Sequence, residues 1–288
     1  HDLWHNDREV WCNGRYFTEL VTDKAVDFIE RGNDQPFLLY VPYSAPHYPM
    51  HAPKSYLDRY PELPPDRRIM AAMISALDDG VGSIVNALKA SGEYENTMIF
   101  FSSDNGPSRE ARNWLDGNED HYYGGTAGIF RGHKGSIYEA GIREPTIMSF
   151  PGRIPAGQVC GQVGAMFDVL PTFFDFAGLE LPSDLQIDGK SVAQTVTEGL
   201  ESPHHQLFWE YAASQTAVRQ GKWKLTVNGR DDNKAGLQPR DPDLPEQVHL
   251  ADLSADPGER NDLSAQYPEV KEQLLRDLRS WSEELEAQ

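Results

Sequence analysis

A carboxylate and an amide side chain stand together in the tripeptide Asp104-Asn105-Gly106. The tripeptide follows the apolar stretch Thr97–Ser103, whose composition predicts a buried strand. Ligands of open α/β sheets bind beyond the carboxyl ends of the strands, so this is a favourable position for a site. A carboxylate beside an amide oxygen suits a hard cation such as Ca²⁺ or Mg²⁺. The same residues also suit an Asx turn that ends a strand, and the tripeptide alone leaves both interpretations open.

His47 follows a second apolar stretch, Pro36–Val41, in a similar position. It lies in Ala45-Pro46-His47-Tyr48-Pro49, where prolines restrict the backbone on both sides. An imidazole held in one place can protonate a leaving group, which contributes about 10²–10⁴ in rate. A hydrogen-bonded loop histidine is the structural alternative.

Glycines lie on both sides of His133-Lys134 in the segment Arg131–Pro145. They allow the backbone to approach a ligand closely, and Lys134 then offers a point charge for an oxyanion. Lysines more often lie on a solvated face, so the spacing alone is a weak indication. Glu139 and Arg143, four residues apart, predict a structural ion pair rather than catalytic groups.

The composition argues against several other classes of function. The 288 residues carry 45 Asp and Glu against 26 scattered Lys and Arg, a net charge of −19, so no nucleic-acid partner is expected. No apolar run approaches the roughly 18 residues that span a bilayer, so no membrane span is expected. Cys12 and Cys160 are too few for a disulfide framework and lack the spacing of a thiolate metal site, which leaves one bridge or two free thiols open. Phosphate-loop, serine-hydrolase and zinc-protease motifs are absent from the sequence.

Apolar periodicity predicts the elements that would position these residues. A strand, a long helix and a strand follow one another, which favours an α/β fold with a mainly parallel sheet covered by helices. Gly32 and Gly92 are expected to end the first two helices, and Asp78-Asp79 is expected to be a solvated or hinge pair on the second rather than a metal site. The predicted strands are Pro36–Val41, Thr97–Phe101 and Pro145–Phe150; the predicted helices are Phe17–Ile29, Met70–Leu88 and Phe167–Phe176; the predicted loops are a proline-rich one over Pro42–Pro65 and a glycine-rich one over 104–141.

From about residue 203, short strands joined by tight polar turns replace this pattern. A hairpin turn is expected at Gln220-Gly221, and the amphipathic stretch Tyr267–Leu285 predicts a last helix. The sequence therefore predicts two domains, an α/β domain over 1–202 and a small antiparallel subdomain closed by a C-terminal helix over 203–288. The predicted strands of the subdomain are Leu207–Tyr211, Thr216–Arg219 and Lys222–Val227.

Taken together, these segments resemble the sulfatase family. Ala45–Pro49 is similar to the family's histidine loop, and Ser103–Gly106 is similar to its metal-binding strand end. Gly132–Pro145 closely resembles its signature lysine segment. Asp252–Leu263 is similar to the turn before the family's last helix, and Ala217–Leu225 also fits, so the resemblance covers nearly the whole chain.

The resemblance implies an alkaline-phosphatase-like fold and a sulfuric ester hydrolase of the arylsulfatase-like, formylglycine-dependent type. In such enzymes a formylglycine hydrate attacks the sulfur, Ca²⁺ holds the sulfate and a histidine protonates the departing alcohol. Asp104 and Asn105 are then metal ligands for Ca²⁺, with Mg²⁺ the less expected ion. His47 becomes the leaving-group acid or a sulfate contact, and Lys134 bridges sulfate oxygens. The resemblance also implies a sulfated carbohydrate or aryl sulfate as substrate and favours a periplasmic or secreted protein.

The nucleophile departs from the family pattern. Formylglycine forms from the first residue of a C/S-x-P-S/A-R motif, which neither Cys12 nor Cys160 fits. Asn105–Arg109 imitates the end of that motif, but asparagine cannot become an aldehyde. The family's N-terminal metal aspartates are also missing. The resemblance therefore implies that this chain is the C-terminal portion of a sulfatase. The N-terminal sulfatase segment is then a missing partner, and the chain by itself is expected to be inactive.

Two other functions stay open at this point. One is a non-catalytic sulfatase relative that binds sulfated glycans or a partner protein, and an upstream C/S-x-P-S/A-R motif would decide against it. The other, with weaker support, is a phosphatase or phosphonate hydrolase of the same superfamily. The loop Arg109–Tyr123, with Arg112, Trp114 and His121, has the basic and aromatic residues of a pocket for a sulfated sugar, although the same residues suit loop packing.

Overall fold

The computed structural model describes residues 3–32, 35–108, 125–212, 215–231 and 245–287. The chain divides into two units, one of His1–Thr97 with Glu110–Gly125 and one of Met98–Arg109 with Thr126–Gln288. The domain boundary predicted near residue 202 stays a prediction.

The first unit is mainly helical, and its two long helices were predicted. Gly32 and Gly92 have positive φ where these helices end, as expected for terminating glycines. The second helix begins at Pro65, the last residue of the expected proline-rich loop, rather than at Met70. Proline suits the first helical position because its φ is helical and it has no N–H that needs a partner. The elements are β1 (Trp4–His5), β2 (Arg8–Glu9), α1 (Phe17–Glu30), α2 (Lys54–Leu57) and α3 (Pro65–Ser91).

Small side chains allow α1 and α3 to pack closely. Ala25 of α1 and Ala76 of α3 are buried, and a Cβ on Gly80 would lie 2.5 Å from the hydroxyl oxygen of Thr22. Asp79, on the other face of α3, is exposed and pairs with Arg59 at 2.7 Å, which confirms the solvated pair. By length and composition α3 is also apolar enough to cross a membrane. The expected absence of a membrane span therefore stays a prediction.

The prediction of a strand over Pro36–Val41 is wrong for the part of the chain that the structure describes. This segment forms no ladder with any residue that the structure describes. Leu38 and Tyr40 are 74% and 84% exposed, while Phe37 packs edge to face on Phe28. Apolar composition reports a preference for burial, but a strand also needs a hydrogen-bonded neighbour. All ladders among the described residues are antiparallel, so the predicted parallel pairing is not formed there.

In the second unit, two predicted strands form one antiparallel ladder. Ile99 lies opposite Ser149, and Ser102 lies opposite Thr146. The residues that follow the first of these strands and those that precede the second therefore lie at the same end of the ladder. The elements are β3 (Ile99–Ser102), α4 (Glu139–Ile142), β4 (Thr146–Ser149), α5 (Val169–Ala177) and α6 (Ala193–Glu198).

The C-terminal part of this unit is an antiparallel sheet closed by a helix, as predicted, but the sheet has four strands rather than the predicted three. Its hairpin turn lies at Gly221-Lys222, one residue later than expected. The sequence analysis missed the fourth strand, because VHLAD is short and half polar and leads directly into a turn. The elements are β5 (Gln206–Tyr211), β6 (Gln215–Gln220), β7 (Trp223–Val227), β8 (Val248–Asp252) and α7 (Pro268–Glu286), with the strands in the order β5-β6-β7-β8.

The apolar face of α7 covers this sheet. Leu274 and Leu278 are buried against Val218, Leu225 and Leu250 of the strands. At the edge of the cluster, the rings of Phe208 and Trp281 stack with centroids 5.2 Å apart. The sheet thus has a core of its own on one face, which leaves its other face to contact the rest of the unit.

Candidate functional site

Asp104 and Asn105 lie directly beyond the end of β3, as predicted. Asp104 is exposed and Asn105 is half-buried. The turn is held by the hydroxyl of Ser103, which donates to the main-chain oxygen of Asn105 at 3.0 Å. The turn and the cation hypothesis are therefore compatible, since a serine rather than the aspartate carboxylate makes this turn bond.

Main-chain contacts join this loop to the segment Arg131–Pro145, which we call the lysine segment. The N–H of Lys134 donates to the carbonyl oxygen of Pro107 at 3.0 Å, and the N–H of Gly106 donates to that of Gly141 at 3.4 Å. A Cβ on Gly106 would overlap the carbonyl oxygen of Ala140 and lie 2.8 Å from its carbonyl carbon. Only a glycine permits this approach, which brings the loop of Asp104 and Asn105 against the segment that carries Lys134.

The lysine segment folds tightly upon itself. Its glycines at 132 and 135 have φ of 94° and 85°, and the N–H of Ser136 donates to the carbonyl oxygen of His133 at 2.9 Å. His133 is buried, and its Nδ1 lies 2.7 Å from the carbonyl oxygen of Lys134. Lys134 itself is half-buried. Glycine conformation and local hydrogen bonds thus determine the path of the backbone on both sides of the lysine.

Negative charge accumulates beside Asp104. Burial, and secondly the charge of Asp104, raise the pKa of Glu144 to about 7. The Oε1 atom of Glu144 is buried and has no hydrogen-bond partner. A cation here would neutralise the carboxylates and give that oxygen a partner, so these residues fit the implied Ca²⁺. Among the described residues no three His, Cys, Asp or Glu side chains form a metal cluster, so Asp104, Asn105 and Glu144 would be part of a ligand set.

Replacing Glu144 with glutamine is expected to change the dependence of stability on pH in the metal-free protein. Burial raises the pKa of Glu144 from its ordinary 4.5 to about 7, so the unfolded chain releases this proton first as the pH rises. The free energy of unfolding therefore falls as the pH rises from 4.5 to about 7, and it stays lower above pH 7. Because Glu144 is partly exposed, we expect Glu144→Gln to gain only about 1 kcal/mol at pH 8 and nothing at pH 4. Urea unfolding in the presence of a chelator measures the unfolding free energy at both pH values, and the exposed Glu180→Gln is the control. An equal gain at pH 4 and pH 8 would contradict the raised pKa of Glu144.

His47 lies in the first unit, in the loop that follows residues 36–41. The peptide bonds Ala45-Pro46 and Tyr48-Pro49 are cis. The N–H of His47 donates to the carbonyl oxygen of Ser44, and its Nδ1 lies 2.9 Å from the carbonyl oxygen of Tyr48. Since a carbonyl oxygen only accepts, Nδ1 is the donor in this contact. The other three predicted site residues all lie in the second unit.

The sequence reasoning missed a buried charge cluster behind the lysine segment. Glu139 does pair with Arg143 at 3.4 Å, as predicted, but it also pairs with Lys224 of β7 at 2.9 Å. Lys224 in turn lies 3.1 Å from Glu259. One signal was present in the sequence, namely a lysine inside the otherwise apolar or neutral strand WKLTV. We call Glu139, Lys224 and Glu259 the buried charge cluster.

Two further predictions concern residues away from this site. Cys12 and Cys160 are free thiols, the first half-buried and the second exposed, so they form no bridge with each other. The pocket predicted from the loop Arg109–Tyr123 lies outside the described residues. Its substrate role stays a prediction.

The chain is similar to known proteins over nearly its whole length. The sulfatase family model matches residues 1–179, and a model described as N-sulphoglucosamine sulphohydrolase, C-terminal, matches residues 125–284. Mouse arylsulfatase J is 30% identical over 319 aligned residues, which cover 96% of this chain and 51% of that protein. Human N-acetylgalactosamine-6-sulfatase is 31% identical over 287 aligned residues, which cover 90% of this chain and 50% of that protein. The chain thus spans about half the length of the curated relatives it matches.

Solved structures give the same result for the fold. The crystal structure of Ps i-CgsB in complex with k-i-k-neocarrahexaose superposes with a TM-score of 0.82 at 28% identity, covering 98% of this chain and 58% of that one. The α/β, alkaline-phosphatase-like fold that the resemblance implied is therefore confirmed. With a family model over more than half of its residues and two sulfatases at 30% identity or above, the chain belongs to the sulfatase family.

Proposed function

We propose that this chain is part of a sulfuric ester hydrolase that acts on a sulfated carbohydrate or an aryl sulfate. The observation that carries the proposal is the main-chain contact between the loop of Asp104 and the lysine segment, in a member of the sulfatase family. This contact joins a candidate cation site to a lysine that can pair with sulfate oxygens. The oligosaccharide in the Ps i-CgsB complex supports the carbohydrate class.

Each proposed residue has a role that its chemistry allows. The Lys134 ammonium is a point charge that binds sulfate oxygens and stabilises negative charge developing on them. Asp104 and Asn105 would hold Ca²⁺, which supplies Lewis-acid stabilisation of the same oxygens when bound. His47 gives a proton from Nε2 to the departing alkoxide while Nδ1 stays bonded to the Tyr48 carbonyl.

No residue of this chain fits the family's formylglycine. Cys12 and Cys160 are not followed by the required Pro and Arg, and Asn105 has no thiol or hydroxyl to oxidise. The proposal therefore assigns the nucleophile to a segment outside residues 1–288. In the alternative function, a non-catalytic relative that binds sulfated glycans, the protein would lack a segment with that nucleophile.

Residues 1–288 alone are expected to release no sulfate from an aryl sulfate or a sulfated oligosaccharide in the presence of Ca²⁺. The test is to sequence the coding DNA upstream of His1 and express any longer reading frame that contains a C/S-x-P-S/A-R motif. That longer protein is expected to turn over, and Lys134→Met within it to lower kcat/KM about 10²–10³-fold, the range found when one transition-state donor is removed.

Lys24→Met is the matched control, since Lys24 is an exposed lysine paired with Asp27. Its kcat/KM is expected to match that of the unsubstituted protein. Turnover by purified residues 1–288, or full activity of Lys134→Met, would contradict the proposal. A longer reading frame that binds sulfated glycans without turnover would favour the non-catalytic relative instead, and turnover of phosphate but not sulfate esters would favour the phosphatase alternative.

A further inference from the structure

Two fully buried polar side chains of the C-terminal sheet reach the lysine segment. Lys224 of β7 is 0% exposed and donates to Glu139 Oε1 at 2.9 Å. Gln215 of β6 is 1% exposed, and its Nε2 donates to the carbonyl oxygen of Gly135 at 3.2 Å. Gly135 is the residue next to Lys134, so this bond is one peptide away from the proposed sulfate contact.

Glu259 closes the cluster from the turn after β8. Its side chain is 0% exposed, and its Oε2 accepts the main-chain N–H of Glu139 at 2.6 Å. This N–H is at the first position of α4, where a helix leaves donors unpaired, so the carboxylate satisfies a group that the helix cannot. Glu259 adopts φ +49°, a left-handed conformation that is uncommon for a residue with a side chain.

The charges in this cluster depend on one another. Burial by itself would raise the pKa of Glu139, but the attraction of Lys224, Arg219 and Arg143 outweighs it and lowers that pKa. Burial raises the pKa of Glu259. Without Lys224, two carboxylates would remain buried without their shared counter-charge, and a buried charge that loses its partner is strongly destabilising. Lys224 is therefore the counter-charge that Glu139 and Glu259 share.

Tyr138 adds an aromatic contact to the same face of the sheet. Its ring lies edge-on to His249 of β8 with centroids 6.0 Å apart, and the Arg131 guanidinium stacks 3.9 Å from its centroid. The lysine segment is thus attached to the sheet at Gly135, Tyr138 and Glu139. On its other side it is attached to the loop of Asp104 through the bond from Lys134 to Pro107.

We infer that Lys224 and Gln215 are positioning residues that hold Lys134 in place through the backbone of the lysine segment. Neither side chain touches substrate in this scheme. They act by holding the main chain on the C-terminal side of Lys134 against the sheet. That Lys134 binds sulfate rests on the proposed function, whereas the attachment of its backbone to the sheet does not.

Hydrogen exchange of the Lys134 amide tests the attachment, because that amide is bonded to Pro107 and reports whether the segment stays in place. In residues 1–288, Lys224→Met is expected to accelerate this exchange at least about 10-fold, as expected for a local opening, while the Leu274 amide in α7 is unchanged. Lys222→Met is the matched control: Lys222 is half-exposed, lies two residues away and pairs with Asp252, so exchange at Lys134 is expected to stay within about 2-fold. Equal acceleration at Leu274 and Lys134 would overturn the inference, since it would indicate general unfolding.

Gln215→Met provides a second variant that leaves the buried charges intact, in case Lys224→Met does not fold. It is expected to accelerate exchange at Lys134 in the same way, and no acceleration in either folded variant would refute the attachment. Calorimetric titration with inorganic sulfate in Ca²⁺ then tests the consequence for binding. Gln215→Met and Lys134→Met are each expected to weaken binding about 10-fold, and the double variant no further, because non-additivity marks residues that act through one another.

Additive losses would show that Gln215 acts elsewhere and would overturn the positioning role. Absence of sulfate binding by the unsubstituted chain would count against the proposed function of Lys134. In that case the exchange measurement still decides whether the sheet holds the segment.

Discussion

Gly106→Ala is expected to separate the loop of Asp104 from the lysine segment. The new Cβ would overlap the carbonyl oxygen of Ala140 and lie 2.8 Å from the carbonyl carbon, and main-chain atoms cannot rotate away as side chains do. The two backbones must move apart, which breaks the bonds from Gly106 to Gly141 and from Lys134 to Pro107. We expect a loss of about 3 kcal/mol in unfolding free energy, at the upper end for overpacked sites. Calcium affinity is expected to fall about 10–100-fold, the usual effect of disturbing groups behind the ligands.

Urea unfolding and calcium titration of residues 1–288 measure these two effects. Gly161→Ala is the matched control, because a Cβ there meets nothing within 4 Å. It is expected to change stability by less than about 0.5 kcal/mol and to leave calcium binding unchanged. An unfolding midpoint for Gly106→Ala equal to that of the unsubstituted chain would show that the close approach is not a constraint.

Asp168→Ala is expected to be strongly destabilising in the second unit. Its side chain is 3% exposed, and its two oxygens accept from the N–H groups of Ala165 and Lys190 at 2.8 and 2.9 Å and from His204 Nε2 at 2.7 Å. One carboxylate thus connects three chain segments. Removing it leaves three donors without a partner, at about 1–3 kcal/mol for each one that stays buried, so we expect a loss of about 4 kcal/mol.

Chemical denaturation followed by circular dichroism measures this loss. Asp175→Ala is the control on the neighbouring helix, because Asp175 is exposed and accepts one bond from Ser191 at 2.7 Å. Its cost is expected to stay below about 1 kcal/mol. The cost of Asp168→Asn should lie between the costs of Asp168→Ala and Asp175→Ala. The amide keeps one acceptor oxygen, but its NH₂ group faces hydrogen-bond donors. A cost for Asp168→Ala no larger than that of Asp175→Ala would mean that water replaces the carboxylate.

The candidate site was predicted from sequence to the extent that its features are local. Asp104 and Asn105 follow β3, and the conformation around Lys134 comes from glycines beside it in the chain. Residue spacing alone does not indicate that these two segments meet. Their contact follows from the antiparallel return of β4 along β3, which brings both ends of the intervening segment of more than 40 residues to one end of the ladder.

The helices were easier to predict than the strands for the same reason. The 3.6-residue period and a terminating glycine define α1 and α3 from neighbours within a few positions. Residues 36–41 have strand composition, but a ladder requires a partner that no local pattern provides. The strand β8 shows the opposite error, because it was not predicted but is formed. Its pairing with β7 outweighs a short and half-polar sequence.

Residue order alone was enough to identify the family, the α/β class, the antiparallel C-terminal subdomain with its last helix, and the residues to propose for the site. The attachment of the lysine segment to this subdomain is, in contrast, a property of the tertiary structure. Lys224 is 85 positions from Glu139, and Glu259 is 120 positions from it. Whether such residues meet depends on strand register, because a shift of one residue turns every side chain of β7 to the opposite face of the sheet. Contacts at this separation are set by the packing of whole elements, which residue spacing does not encode.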